Sequence, residues 1–108
     1  MLRLVLFGLL MLTGCVADYA DDNDRRMRMI ERSITLPPGA APVAKYRRYY
    51  AWSRDDAGIV DAVYVLGGEP DNFWFPADDM PIVLDGGCTV ISIEFSIATG
   101  EAISVRCN

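Results

Sequence analysis

Val90-Ile91-Ser92-Ile93-Glu94-Phe95-Ser96-Ile97, then Ala98-Thr99-Gly100, then Glu101-Ala102-Ile103-Ser104-Val105-Arg106-Cys107, is the stretch that decides the fold. Ile91, Ile93, Phe95 and Ile97 alternate with Val90, Ser92, Glu94 and Ser96, and a period of two puts one apolar row on one face of a β-strand. Ile103, Val105 and Cys107 alternate with Ser104 and Arg106 in the same way. A three-residue loop, Ala98-Thr99-Gly100, with Gly100 at positive φ, sets Phe95 opposite Ile103, Ile93 opposite Val105 and Ile91 opposite Cys107. A loop one residue shorter or longer sets each apolar row against a polar one, so this register is the expected one.

Upstream, Ile59 to Leu66 is β-branched and apolar on both faces. Val63 and Val65 lie on one, and Val60, Tyr64 and Leu66 on the other, as in a central strand, with Asp61 near its exposed end. Tyr49 to Arg54 has strand character, and Asp55-Asp56-Ala57-Gly58 turns it into a hairpin with that strand. Asn72 to Phe75 forms a further short strand after the turn Gly67-Gly68-Glu69-Pro70-Asp71, and Pro76 to Gly87 is irregular and acidic. Leu36 to Pro42 is a proline-rich loop, and Pro42 opens a short helical turn through Val43 and Tyr46. Asp22 to Ser33 is helix-compatible: Asp22 or Asp24 caps it, and Met27, Ile30 and Ile34 fall at i, i+3 and i+7. The expected fold is α+β, one small antiparallel sheet of about four or five strands with a short N-terminal helix on one face.

The N-terminus has another purpose. Met1 to Arg3 is a small positive region and Leu4 to Leu12 an apolar core of nine residues, well short of the roughly 20 a membrane-spanning helix needs. Leu12-Thr13-Gly14-Cys15 follows, and residues 1–15 resemble the lipobox signal peptide of bacterial lipoproteins. That resemblance implies cleavage before Cys15, a diacylglyceryl thioether on its sulfur and commonly a third acyl chain on the new amino group. It places the protein in the cell envelope, lipid-anchored and facing the periplasm. Val16, where Asp would favour inner-membrane retention, leans the expectation toward the outer membrane. The organisation is then a signal peptide over 1–14, a lipid-anchored tether over 15–24 and a single α+β domain over 25–108.

Removing the first 14 of 108 residues leaves 94, a chain small enough to benefit from a staple. Cys88 and Cys107 supply one in an oxidising compartment, and with Cys15 acylated no odd thiol remains. The sequence has no histidine, which excludes Ser-His-Asp and Cys-His nucleophiles and His-ligated zinc. Asp71, Asp78, Asp79 and Asp85 surround Trp74 without the spacing of a calcium loop and read as solvated loop charges. No catalytic residue, metal site or cofactor is therefore assigned.

Charge is segregated along the chain. Residues 25–48 hold Arg25, Arg26, Arg28, Arg32, Lys45, Arg47 and Arg48 against Glu31, a balance of +6, while residues 55–105 hold ten carboxylates and no Lys or Arg. Either a basic face meets anionic headgroups and an acidic face meets solvent, or the two segments neutralise each other across the fold. The net charge of −5 argues against nucleic acid as a partner.

Tyr46-Arg47-Arg48-Tyr49-Tyr50-Ala51-Trp52-Ser53-Arg54 concentrates rings and guanidinium groups. If 48–52 is a strand, Arg48, Tyr50 and Trp52 share a face. Extended by Arg47 or Arg54, that face is the candidate surface for an envelope protein or a glycan. The alternative is that the rings fill the core while arginine stems cover its edge. The functional expectation is a non-enzymatic, lipid-anchored envelope protein whose disulfide-stapled domain binds another envelope component. The alternatives are a periplasmic inhibitor or chaperone-like module acting on a soluble enzyme and, third, a small hydrolase.

Overall fold

The computed structural model describes residues 22–83 and 85–108. Cys15, the signal peptide over 1–14 and tether residues 15–21 lie outside the described residues. Helix α1 covers residues 22–33. Five strands follow: β1 (Tyr46–Trp52), β2 (Ile59–Leu66), β3 (Asn72–Trp74), β4 (Val90–Ser96) and β5 (Glu101–Cys107). They form one sheet in the order β3-β1-β2-β4-β5. Single 3-10 turns at Val43–Lys45, Ala77–Asp79 and Gly87–Thr89 punctuate the connections. The domain is a small α+β unit, and the helix occupies the segment that the spacing of Met27 and Ile30 marks out.

The sheet is mixed where an all-antiparallel one was expected. β1–β2, β2–β4 and β4–β5 are antiparallel, but β3 runs parallel to β1. The reason lies in the turn after β2. Gly67 and Gly68 both have positive φ, 108° and 73°, and reverse the chain so that the next strand must oppose β2 in direction. One edge of β2 is taken by β4 and the other by β1, so β3 settles on the free edge of β1 and points the same way as β1. Arg48 N–H donates to Asp71 O (2.8 Å) and Phe75 N–H to Tyr50 O (2.7 Å), carrying the pairing past both ends of this three-residue strand.

Pleating separates two faces. Tyr46, Tyr50, Val60, Ala62, Tyr64, Ile91, Ile93 and Phe95 form one buried cluster with Met27 and Ile30 of α1. An eight-residue central strand (β2) with Val60, Ala62 and Tyr64 inward is what a period of two requires. Asp61, Val63 and Val65 project to the other face.

The C-terminal hairpin keeps part of the expected register. Ile91 pairs with Cys107 and Ile93 with Val105, but Phe95 pairs with Ala102 rather than Ile103. The loop holds four residues, 97–100, and is closed by Gly100 N–H donating to Ser96 O (2.9 Å). A four-residue loop alone would turn the apolar row outward. A bulge at Ile103 absorbs the extra residue and returns Val105 and Cys107 to the inner row. Ile103 is expelled and 60% exposed.

Cys88 and Cys107 form a disulfide with Cα atoms 4.5 Å apart across a sequence separation of 19. The turn before Cys88 needs glycine at position 86, where a Cβ would lie 2.7 Å from Val90 Cγ2. Tyr46 Oη donates to Cys88 O (2.7 Å) and accepts from Ala41 N–H (3.1 Å), tying the proline-rich loop to the staple. Among the described residues no helix is long and apolar enough to cross a membrane.

Replacing both Cys88 and Cys107 with Ser should lower unfolding free energy by about 3 kcal/mol in urea titration, with a higher m-value because the unlinked denatured chain exposes more surface. In the same assay Phe95→Ala should remove about 3–5 kcal/mol. Ile103→Thr should stay within about 0.5 kcal/mol, because expulsion by the bulge leaves Ile103 little packing to lose.

Candidate functional site

β1 carries its rings and arginines into two environments. On the face toward α1, Arg48 is 9% exposed and Tyr50 fully buried. Arg48 Nη1 donates to Val43 O and Tyr46 O, both at 3.1 Å, and its Nε lies 3.3 Å from Glu31 Oε2. That last contact is an ion pair without hydrogen-bond alignment, so Nε is buried and unbonded. Glu31 Oε2 also accepts from Tyr50 Oη (2.8 Å) and Asn72 Nδ2 (3.1 Å), and Tyr50 and Tyr64 hydroxyls meet at 2.5 Å. A carboxylate only accepts, so Tyr50 spends its single proton on Glu31 and Tyr64 donates to Tyr50.

This network is structural in character. Burial pushes the Tyr50 phenol far above its ordinary range, and the neighbouring Tyr64 and Glu31 push it further. Burial likewise raises Tyr64, although its bond to Tyr50 and the charge of Arg48 act the other way. Both phenols stay neutral at physiological pH, so neither supplies a phenolate nucleophile.

The residues expected to form a partner surface are thus divided. Arg48, Tyr50 and Trp52 do share a face, as alternation requires, but α1 covers the first two. Arg54 lies beyond the strand, exposed, with Nη1 2.9 Å from Asp78 Oδ1. Arg47 points to the opposite face, its guanidinium 4.4 Å from the Phe73 ring centre and 5.7 Å from that of Tyr49, with Nε donating to Tyr49 Oη at 2.8 Å. Tyr49, Phe73 and Phe75 complete a half-buried aromatic cluster there, with Tyr49 and Phe75 stacked at 5.6 Å.

Trp52 is the member of the original set that reaches an opening. It is 38% exposed and borders a cleft of about 330 Å³ with Trp74, Asp22, Asn23 and Arg26. The two indoles meet edge to face at 5.6 Å and 72°, and Trp74 lies nearly parallel to Tyr50. Arg26 sits 5.0 Å over the Trp52 ring and is oriented by Nη1 donating to Asn23 Oδ1 (2.9 Å). The cleft therefore offers apolar ring surface, a positioned guanidinium, an amide and a carboxylate. Among the described residues that line it, Asp22 is the one titratable acid, and no acid–base pair converges there.

Sequence reasoning missed Trp74, Arg26, Asn23 and Asp22 as site residues. Asn23 and Arg26 stand at i, i+3 on a recognisable helix. Their meeting with Trp74 needs the parallel placement of β3, which no local pattern announces.

Asp61 lies on the face away from α1. Partial burial holds its carboxyl above the usual range, and Glu94, Asp55 and Asp56 add to the effect. Among the described residues no group of His, Cys, Asp or Glu is placed to hold a metal ion. Comparison with protein-family models, curated proteins and solved structures found no match for this chain.

Glu31→Ala strands the Arg48 charge in the interior and should cost about 3–5 kcal/mol, whereas Glu31→Leu with Arg48→Met should recover most of that loss in the same denaturation assay. For Asp61 the native carboxyl binds its proton more tightly than the unfolded chain does. Its ionisation therefore opposes folding at neutral pH, and the opposition fades as pH falls through the native pKa. Asp61→Asn should raise the melting temperature modestly at pH 7, and the difference from the parent should vanish by about pH 3, below the carboxylate range.

Proposed function

We propose that this is a lipid-anchored cell-envelope protein, facing the periplasm, whose disulfide-stapled domain binds another envelope component and catalyses no reaction. The observation that carries this reading is the Trp52–Trp74–Arg26 cleft, which opens at the start of α1 and only seven residues after Cys15. Trp and Arg dominate binding energy because rings bury large areas with little entropy loss and guanidinium groups add directional bonds. A volume of 330 Å³ is at the low end of ligand sites. It suits one sugar ring or one inserted side chain and leaves little room for an extended substrate.

Three further features support the reading. The lipobox resemblance supplies the anchor and, through Val16, the lean toward the outer membrane. The Cys88–Cys107 bond fits an oxidising compartment. Absence of histidine from the sequence and neutral buried phenols fit binding better than acid–base chemistry.

Two measurements test it. The mature protein from its native membrane should carry acyl chains on Cys15 by intact mass, and Cys15→Ser should leave the membrane fraction. Photo-crosslinking from a position beside Trp52 in the intact envelope should trap one defined protein or glycan. Trp52→Ala or Arg26→Ala should reduce that yield about tenfold or more, with melting temperature nearly unchanged for Arg26→Ala. Yields equal to the parent's would remove the cleft from the proposal.

A further inference from the structure

The structure distinguishes the two fates open to the segregated charge. The carboxylates of residues 55–105 that form ion pairs among the described residues meet Arg54 and Arg106, at Asp78 and Glu94. Neither arginine belongs to the basic run at 25–48. Within that run Arg48 pairs with Glu31 inside the fold, and Arg28 and Arg32 have no ion-pair partner among the described residues. Among the described residues no ion pair joins the basic run to the acidic half.

Its arginines are also gathered on one side. At 100° per residue, Met27, Ile30 and Glu31 point from α1 into the sheet, so Arg25, Arg28 and Arg32 at i, i+3 and i+7 project away from it. All three are exposed, and with half-buried Met29 and exposed Ser33 they line a shallow depression of about 360 Å³. Asp22 pairs with Arg25 at the first turn, and Glu31 is turned inward. Asp61 and Glu94, by contrast, are on the sheet face opposite α1.

We propose that this outer face of α1 lies on the anionic headgroup surface of the membrane that holds the lipid anchor. Arg28 and Arg32, exposed and without an ion-pair partner among the described residues, meet phosphates. The inference rests on the lipid-anchor reading for its geometry. Asp22 lies seven positions after Cys15, and even fully extended that stretch reaches only about 25 Å. The ridge is thus held within a few helix diameters of the bilayer, where basic residues gain from the negative surface potential. The acidic face is repelled from the same surface. Anchor, ridge and repulsion together fix one orientation, with the sheet's outer face toward the periplasm.

The test uses the chain purified from membranes, labelled with an environment-sensitive dye at Ser33→Cys. It is mixed with vesicles of phosphatidylcholine, alone or with about 30% phosphatidylglycerol. The dye should be shielded from an aqueous quencher about fivefold or more better on anionic than on neutral vesicles. Arg28→Glu with Arg32→Glu, or high salt, should abolish the difference while near-ultraviolet dichroism stays that of the parent. Equal shielding on both vesicles, or shielding that survives charge reversal, overturns the proposal. The anchor is judged separately from the mass at Cys15. Should that mass show no acyl chain, flotation of the same chain with anionic against neutral vesicles still decides whether α1 binds the surface.

Discussion

The Glu31–Arg48 pair is the constraint on which the arrangement of this domain depends. A charged pair under a helix is tolerated only when its remaining polar atoms find partners, because each ion loses its water. Here two backbone carbonyls take Arg48 Nη1, and Tyr50 and Asn72 complete Glu31, while Arg48 Nε is held by the charge of Glu31 alone, without a hydrogen bond. Apolar packing of Met27 and Ile30 permits some rotation and sliding of α1 on the sheet. A carboxylate that must reach a buried guanidinium and a phenol at hydrogen-bond distance restricts both.

That rotational setting decides the surface chemistry. With Glu31 inward, Asn23 and Arg26 border the edge where Trp52 and Trp74 meet, and Arg25, Arg28 and Arg32 face outward. The cleft and the basic ridge are thus two products of one helix orientation. Membrane placement and partner binding would share it as well, the ridge addressing the bilayer while the cleft opens to the side.

The aromatic–arginine run of β1 illustrates how composition and role part company. Composition marks the nine residues 46–54 as interface-like. In the fold, Tyr46 and Tyr50 are core, Arg48 belongs to the buried pair, and Tyr49 and Arg47 stack with Phe73 on the other face. Only Trp52, at the strand's end, opens onto the cleft. Trp, Tyr and Arg serve cores and interfaces for the same reason, large contact area with a polar tip, so their clustering does not say which one they serve.

Local periodicity by itself determined the helix over 22–33, the central strand at Ile59–Leu66, the β4–β5 hairpin and the availability of Cys88 and Cys107 for a staple, because these rest on contacts near in sequence or on alternation alone. The bulge at Ile103 lay outside its reach: three- and four-residue loops differ by one residue, and the choice between them is made by how the rest of the sheet packs. So did the parallel placement of β3, which depends on which strand edge is free after β4 has docked. The cleft joins Asn23 and Arg26 to Trp52 and Trp74, residues about 30 to 50 positions apart. Their meeting follows from burial of Glu31 with Arg48, an energetic choice among helix orientations that only the assembled tertiary structure makes.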